Sequence, residues 1–324
     1  MPARRHMTSR KKRLDPWRNE ELKYFEKGVR IRMKRFVSII AVMALLLSGC
    51  SGKKEVKMKE ESYTTAGGEE GWMYLPDAAV DNPEEKRPLV LVTCAFGGHP
   101  EEKLRQAGWI RQAQEAGLLL LVPKYKTTES YSQTERVMEI LNYAIEHYPV
   151  DTARIYASGF SNGGGVVGAL TNDYPGTFAG ICFMSWMMPI KHLSSPYEMP
   201  FQIIQGSRDL TLEMDSGAMR VIDDEVWGIE SLMRFNGLLE SGEAKDFDKT
   251  EYWGYEPDEV ETAVIEETTW TFSNYYKEGH TAPLGQLVMI EGGRHELTEQ
   301  KAFVAWDFLR HYARGENGEL IEIE

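Results

Sequence analysis

A serine between closely spaced glycines is the feature of this chain best suited to chemistry. Residues 159–163 read Gly-Phe-Ser-Asn-Gly, with Ser161 at the centre. Residues 154–158 before them predict a β-strand, and residues 163–174 after them predict a helix. So tight a strand-to-helix turn leaves no room for neighbouring Cβ atoms, which explains both glycines. The adjacent helix N-terminus favours negative charge, so we predict that Ser161 is a nucleophile.

Two further residues are placed to make a serine reactive. A serine hydroxyl attacks a carbonyl carbon well only when a base accepts its proton, and a histidine does so when a carboxylate orients its ring. Asp209 follows the predicted strand at 200–205, and His295 follows the predicted strand at 286–291. Both would lie in loops at the carboxyl ends of strands, where ligands bind in parallel sheets. We therefore predict that Ser161, His295 and Asp209 form a catalytic triad.

Other acidic residues and histidines compete for these two roles. Asp215, Asp223 and Asp224 come later in the same region, and we expect them to be solvated. His280 precedes the last predicted strand, so it is expected at the opposite end of the sheet. Surface or helix-end positions are expected for the remaining candidates, which are His147, His192 and His311.

Acyl transfer also needs hydrogen-bond donors for the oxyanion of the tetrahedral intermediate. One donor is expected to be the backbone N–H of Asn162, directly after the serine. The other is expected in the glycine-rich loop after the predicted strand at 88–95, from Phe96, with Ala95 as the second choice. His99 in the same loop either lines the pocket or is an ordinary loop residue.

Strand and helix patterns alternate from Tyr63 onward, which predicts a mostly parallel sheet with helices on both faces. The predicted strands cover residues 71–75, 88–95, 118–122, 154–158, 178–186, 200–205 and 286–291. The predicted helices cover residues 101–116, 133–147, 163–174 and 301–314. This arrangement would bring the three triad residues to one edge of the sheet.

Residues 210–285 interrupt this alternation and predict an insertion before the last strand. A helix is predicted over 224–238, and aromatic strand-like runs at 252–255 and 269–275. The aromatic rings of the insertion either form a platform for a sugar or a phenolic acyl group, or pack the insertion onto the core. These rings belong to Trp227, Tyr252, Trp253, Tyr255, Trp270, Tyr275 and Tyr276.

The N-terminal residues are typical of an export signal. Two basic residues precede twelve uncharged residues at 36–47, and the sequence Leu-Ser-Gly-Cys follows at 47–50. This ending resembles a bacterial lipobox, so we expect a lipoprotein signal at 33–49 and a lipid on Cys50. The expected boundaries are a tether at 50–68 and a catalytic domain at 69–316. Residues 1–32 are either an upstream misassignment of the start or a cytosolic extension.

Charge and cysteine content exclude several classes of function. The 324 residues carry a formal charge of −13; the first 50 hold 13 Lys and Arg and 4 Asp and Glu, which leaves −22 on the remainder. So acidic a surface argues against nucleic acid as a partner. Cys94 and Cys182 lie in apolar runs and are expected to be buried free thiols, although an exported protein can pair its cysteines. The sequence has no His-Glu-x-x-His motif and no Cys–His cluster, so no metal or other cofactor is predicted.

The run Val-Asp-Thr-Ala-Arg-Ile-Tyr-Ala-Ser-Gly-Phe-Ser-Asn-Gly-Gly at 150–164 resembles secreted α/β-hydrolases of the polyhydroxybutyrate-depolymerase and feruloyl-esterase group. The similarity extends over Trp72 to Arg314 and includes the motifs at 108–109, 115–117, 206–209 and 291–295. It implies an α/β-hydrolase fold, with Ser161 as nucleophile, Asp209 as acid and His295 as base. The group usually shows Leu-His-Gly where this chain has Thr-Cys-Ala at 93–95.

Together these features predict a serine esterase anchored outside a bacterial membrane. Its expected substrates are extracellular esters, either acyl or feruloyl esters on polysaccharides or short-chain polyesters. A serine peptidase of the same fold is the nearest alternative, because both reactions transfer an acyl group to water. A non-catalytic surface lipoprotein that only binds its ligand is the alternative from another class.

Overall fold

The computed structural model describes residues 56–94, 99–126, 132–185, 195–209, 212–215, 218–221, 223–240, 242–250 and 252–323. The predicted signal segment, Cys50 and the two candidate oxyanion residues Ala95 and Phe96 lie outside the described residues.

Ten of the described strands form one sheet, in the order β1-β2-β4-β3-β5-β6-β7-β12-β11-β10. The first seven strands in chain order are β1 Lys59–Thr64, β2 Glu70–Leu75, β3 Arg87–Cys94, β4 Leu119–Pro123, β5 Val150–Phe160, β6 Gly180–Met184 and β7 Phe201–Gly206. The later strands are β8 Leu212–Asp215, β9 Ala218–Val221, β10 Glu259–Ile265, β11 Thr268–Tyr275, β12 Gly285–Ile290, β13 Tyr312–Arg314 and β14 Leu320–Glu322. The six central strands β4, β3, β5, β6, β7 and β12 run parallel, while the strands at both edges are antiparallel.

Helices cover both faces of this sheet. They are α1 Asp77–Asp81, α2 Pro100–Ala107, α3 Trp109–Ala116, α4 Thr134–His147, α5 Asn162–Asp173, α6 Asp223–Asn236 and α7 Glu299–Leu309. Successive residues of β5 point to opposite faces: Ala157 joins the core cluster that holds residues of α4 and α5, whereas the Tyr156 ring meets Trp306 of α7 edge-on at 5.6 Å. Because both faces are covered, β4, β6 and β7 are buried at every residue, as continuous apolar strands require. The predicted α/β-hydrolase fold is confirmed.

Two element predictions in the first half of the chain are wrong. The segment expected to be a tether contributes β1, which pairs antiparallel with β2 at the sheet edge. The helix predicted over 101–116 is two helices, because Gly108 has φ 85° and ends α2 in the left-handed conformation. A Cβ at Gly108 would lie 1.9 Å from the carbonyl oxygen of Glu299, so packing against the start of α7 demands glycine there.

Two predictions in the second half also fail. Residues 252–255 do not form the predicted strand; Tyr252 has φ 71° and Gly254 has φ 80°, which extended strands exclude. Beside β11 the strand is instead β10. Both strands extend the main sheet beyond β12, so part of the inserted segment belongs to that sheet. The predicted closing helix ends at Leu309 and does not reach Arg314. Residues 312–314 form β13 instead, which pairs antiparallel with β14. No described helix has the length and apolar character needed to cross a membrane.

Candidate active site

Ser161 lies on a sharp turn between β5 and α5. Its backbone has φ 53° and ψ −127°, a strained conformation that a non-glycine residue rarely adopts. Its N–H donates to the carbonyl oxygen of Met184 at 2.9 Å, which ties the turn to the end of β6. A Cβ on Gly159 would lie 2.4 Å from the Gly163 carbonyl oxygen, and a Cβ on Gly163 would lie 2.2 Å from the Thr93 carbonyl oxygen. The predicted steric reason for both glycines is therefore confirmed.

The structure brings the three predicted side chains into one hydrogen-bonded line. His295 Nε2 lies 2.8 Å from Ser161 Oγ, and His295 Nδ1 lies 2.9 Å from Asp209 Oδ1. A carboxylate only accepts hydrogen bonds, so Nδ1 carries the proton and Nε2 is left to accept the serine proton. The Asp209 side chain is fully buried, whereas His295 is 26% exposed. The histidine can thus meet a substrate while the acid stays out of water.

The two loops that carry the acid and the base are bonded to each other. Ser207 and Arg208 donate backbone N–H groups to the carbonyl oxygens of Ile290 and Gly293, at 2.9 and 2.8 Å. In return, the Gly292 N–H donates to Ser207 Oγ at 2.7 Å. A Cβ on Gly206 would lie 2.4 Å from the carbonyl of Gly293, so the close approach depends on glycine. These contacts hold the loops of Asp209 and His295 at a fixed distance from each other.

The first predicted oxyanion donor, Asn162, lies at the start of a helix. Asn162 is the first residue of α5, next to Ser161. Backbone N–H groups at a helix N-terminus point out of the helix, and the helix dipole favours negative charge there. His99, which follows the loop of the second predicted donor, is the N-cap of α2; its Nε2 lies 3.5 Å from Glu60 Oε1 at the surface.

Lys301 is a site residue that the sequence reasoning missed. Its side chain is buried, and its Nζ donates to the carbonyl oxygen of Glu296 at 2.7 Å and to Ser185 Oγ at 3.2 Å. The ammonium also lies 5.6 Å from the centre of the Phe160 ring, which packs against the His295 ring. Lys301 therefore connects the loop that carries the base to the end of β6. Its position on the buried face of α7, beside Ala302 and Ala305, was the available signal.

The buried amine of Lys301 predicts a distinctive dependence of stability on pH. Burial lowers the pKa of Lys301 from 10.5 to about 8, against the opposing effect of the Asp209 and Glu296 charges. Between these values the unfolded chain holds a proton that the folded chain has lost, so the free energy of unfolding rises with pH. We expect denaturant titrations from pH 8 to 9.5 to show wild-type protein gaining about 1–2 kcal/mol relative to Lys301→Met. Parallel curves for the two proteins would contradict the assignment.

Two of the competing histidines make their contacts with other residues, and His192 lies outside the described residues. His280 Nδ1 lies 2.7 Å from Glu322 near the C-terminus, and His147 stacks on Tyr143. Cys94 and Cys182 are both free and buried, so the expectation of unpaired thiols is confirmed. Burial raises the pKa of the Cys94 thiol to about 12, which leaves it protonated and inert at neutral pH.

The described aromatic side chains of the insertion mostly pack inward; the side chain of Trp227 lies outside the described residues. The rings of Trp253, Tyr255, Trp270 and Tyr275 are buried, so they hold the inserted segment against the core. The Tyr276 hydroxyl donates to Glu259 at 2.9 Å. The idea of a broad exposed aromatic platform is therefore wrong for these residues, and Tyr252 is the partly buried ring that lines a groove.

No family model matches the sequence. The chain is 22% identical over 121 residues to feruloyl esterase B of Thermothelomyces thermophilus, a match that covers 33% of this chain and 40% of that protein. The chain thus spans less than half the length of this curated relative.

Among solved structures, the chain is similar to an acetyl xylan esterase from Aspergillus awamori. The TM-score is 0.53 at 12% sequence identity, and the match covers 78% of this chain and 99% of that one. The Est1E structure from Butyrivibrio proteoclasticus matches with a TM-score of 0.44 at 13% identity, over 78% of this chain and 96% of that one. With its six parallel central strands and helices on both faces, this chain has the α/β-hydrolase fold.

Proposed function

We propose that this protein is a carboxylic ester hydrolase that works through an acyl-enzyme on Ser161. The observation that carries the proposal is the unbroken line from Ser161 Oγ through His295 to the buried carboxylate of Asp209, with links of 2.8 and 2.9 Å. Nucleophile, base and orienting acid in hydrogen-bond contact are what acyl transfer by a serine requires.

In the first half-reaction His295 Nε2 takes the proton of Ser161 as Oγ bonds to the ester carbonyl carbon. The imidazolium that forms is stabilised by Asp209, and the oxyanion is stabilised by the N–H of Asn162, with Phe96 as the proposed second donor. The ester C–O bond then breaks, and His295 returns the proton to the departing alcohol. In the second half-reaction His295 takes a proton from water as the water oxygen bonds to the acyl carbon. The bond from that carbon to Ser161 Oγ then breaks, His295 returns the proton to Oγ, and the carboxylic acid is released.

We propose extracellular esters as the substrates, either acyl and feruloyl groups on polysaccharides or short-chain polyesters. The partial sequence likeness to a feruloyl esterase and the fold shared with an acetyl xylan esterase support this range. The strongly acidic chain, with a net charge of −13, opposes nucleic acid and other polyanions as substrates.

A fluorophosphonate probe combined with a substrate panel tests the proposal. We expect one covalent adduct, located on Ser161 by peptide mass spectrometry, together with turnover of p-nitrophenyl esters, acetylated xylan and feruloyl esters. Cleavage of aminoacyl-naphthylamides without any ester turnover would replace the proposal with a serine peptidase. Intact protein that neither reacts with the probe nor hydrolyses any ester would identify a binding protein.

We further propose that a lipid on Cys50 holds the enzyme outside the membrane, since Leu-Ser-Gly-Cys follows a short apolar stretch. Bacteria that express the protein and are fed radiolabelled palmitate should label the wild-type chain and leave Cys50→Ala unlabelled. A wild-type chain that carries no label would reject the anchor.

A further inference from the structure

A groove of about 620 Å³ lies on one face of the sheet extension, away from the triad itself. Its floor is formed by β11 and β12, and one wall is formed by Lys249, Thr250, Tyr252, Trp253, Glu256 and Pro257. We infer that this groove binds the neutral carbohydrate part of a polymeric ester whose acyl group is cleaved at Ser161. The inference rests on the proposed function and adds a second, non-catalytic binding site to it.

The floor of the groove presents a row of hydroxyl groups. Every second residue of β11 faces the groove, namely Thr269, Thr271 and Ser273. Their side chains therefore share one face, and each lies about 7 Å from the next along the strand. Thr269 is exposed, Thr271 is half-buried and Ser273 is buried, so the floor deepens along the strand. Within the described part of the chain, these three hydroxyls take part in no side-chain hydrogen bond. They are thus available to exchange hydrogen bonds with a ligand rich in hydroxyl groups.

The wall of the groove contains an aromatic residue with an unusual backbone conformation. Tyr252 lines the groove with φ 71°, in the left-handed region that a non-glycine residue avoids. Such a conformation persists only where the surrounding structure enforces it. The next residue, Trp253, is 2% exposed and belongs to the core cluster. A phenol beside a row of hydroxyls suits a sugar ring, which combines apolar C–H surface with polar groups.

The charges around the groove favour a neutral polymer. Lys249 Nζ lies 3.8 Å from Glu256, so its positive charge is matched locally. Glu291 is exposed at the groove end and adds a further negative charge. Together with the acidic balance of the whole chain, this rim repels polyanions such as polyuronates.

The groove ends at the catalytic edge of the sheet. Glu291 directly follows β12, and its N–H donates to the carbonyl oxygen of Thr269 at 2.9 Å, which closes that end of the floor. His295 comes four residues later, so its Cα lies within about 14 Å of the Glu291 Cα. A chain that lies over Ser273, Thr271 and Thr269 therefore runs toward the edge of the sheet that carries His295. A ligand that occupies both sites must be longer than a small ester.

The experiment compares Thr271→Val with Thr262→Val, its matched control. Thr262 is the residue of β10 that pairs with Thr271 on the neighbouring strand. It is exposed and is not among the residues that line the groove. For each variant, kcat/KM is measured on acetylated xylohexaose and on p-nitrophenyl acetate. In Thr271→Val we expect kcat/KM for the hexasaccharide, divided by kcat/KM for p-nitrophenyl acetate, to fall about fivefold to tenfold through a higher KM for the hexasaccharide. In Thr262→Val this ratio should stay constant. Thr269→Val, at an exposed site, should shift the ratio in the same direction even where Thr271→Val destabilises the fold.

Calorimetry with unacetylated xylohexaose and the catalytically blocked Ser161→Ala protein separates this inference from the proposed function. If the Ser161→Ala protein binds xylohexaose and the double variant Ser161→Ala/Thr271→Val binds it more weakly, the groove is supported even where no ester is hydrolysed. Ester turnover with no xylohexaose binding and an unchanged ratio in both groove variants overturns the inference and leaves the proposed function intact. Saturable binding of oligolysine in place of xylohexaose would also overturn it, since it assigns the acidic rim to a cationic peptide.

Discussion

Replacing Ser161 with alanine is expected to lower kcat for p-nitrophenyl butyrate by about 10⁴-fold or more. The substitution removes the only atom of this residue that can bond to the carbonyl carbon, and it leaves His295 Nε2 without the proton donor at 2.8 Å. Binding of the ester is expected to persist, because the surrounding strands and α5 keep their packing. Steady-state kinetics with the purified variant measures the loss.

Ser62→Ala is the matched control for this prediction, because Ser62 is an exposed serine on the edge strand β1. It should retain wild-type kcat, KM and reaction with a fluorophosphonate. The Ser161→Ala protein should unfold as cooperatively as wild type and fail to react with the probe. Turnover within tenfold of wild type in a correctly folded Ser161→Ala protein would remove Ser161 from the mechanism.

Replacing Asp209 with asparagine is expected to lower kcat by about 10³- to 10⁴-fold with little change in KM. The amide has the same shape, but its NH₂ group can donate where the carboxylate only accepts. His295 would then turn its unprotonated nitrogen toward residue 209 and present N–H to Ser161, which prevents it from acting as a base. The lost negative charge also removes the stabilisation of the imidazolium, in a place where no water can replace it.

Asp307→Asn is the control for the acid, because Asp307 is on α7 and pairs with Arg310 at the surface. Its kinetics should match those of the wild type. A kcat for Asp209→Asn within fivefold of wild type would show that another carboxylate orients His295. Asp215, Asp223 and Asp224, the alternatives in the same stretch of sequence, would then be tested by the same substitution.

Local sequence patterns were enough to predict most of the arrangement of Ser161, His295 and Asp209. The turn around Ser161 needs glycine on both sides for a steric reason that acts within a few residues, so it is visible in the sequence. The buried parallel strands are continuous apolar runs, and their order places Asp209 and His295 after β7 and β12. Because these two strands are neighbours, residues 86 positions apart become hydrogen-bond partners.

Other features depend on contacts between segments that are remote in sequence. Four of the six residues of β1 are lysine, glutamate or serine, so the composition predicts a strand only weakly, and the pairing with β2 makes it one. Gly108 resembles an ordinary helix residue until the close approach of Glu299 is known.

The sequence alone determined the fold class and the chain order of the three side chains that meet at Ser161, because short-range sterics and burial periodicity encode them directly. The tertiary structure alone decided the contacts of Lys301, whose neighbours Phe160, at the end of β5, and Ser185, directly after β6, come far earlier in the chain. It also decided that β10 and β11 extend the sheet and form the floor of the groove next to Tyr252. Long-range packing creates these environments, and no local pattern specifies which distant side chain will fill them.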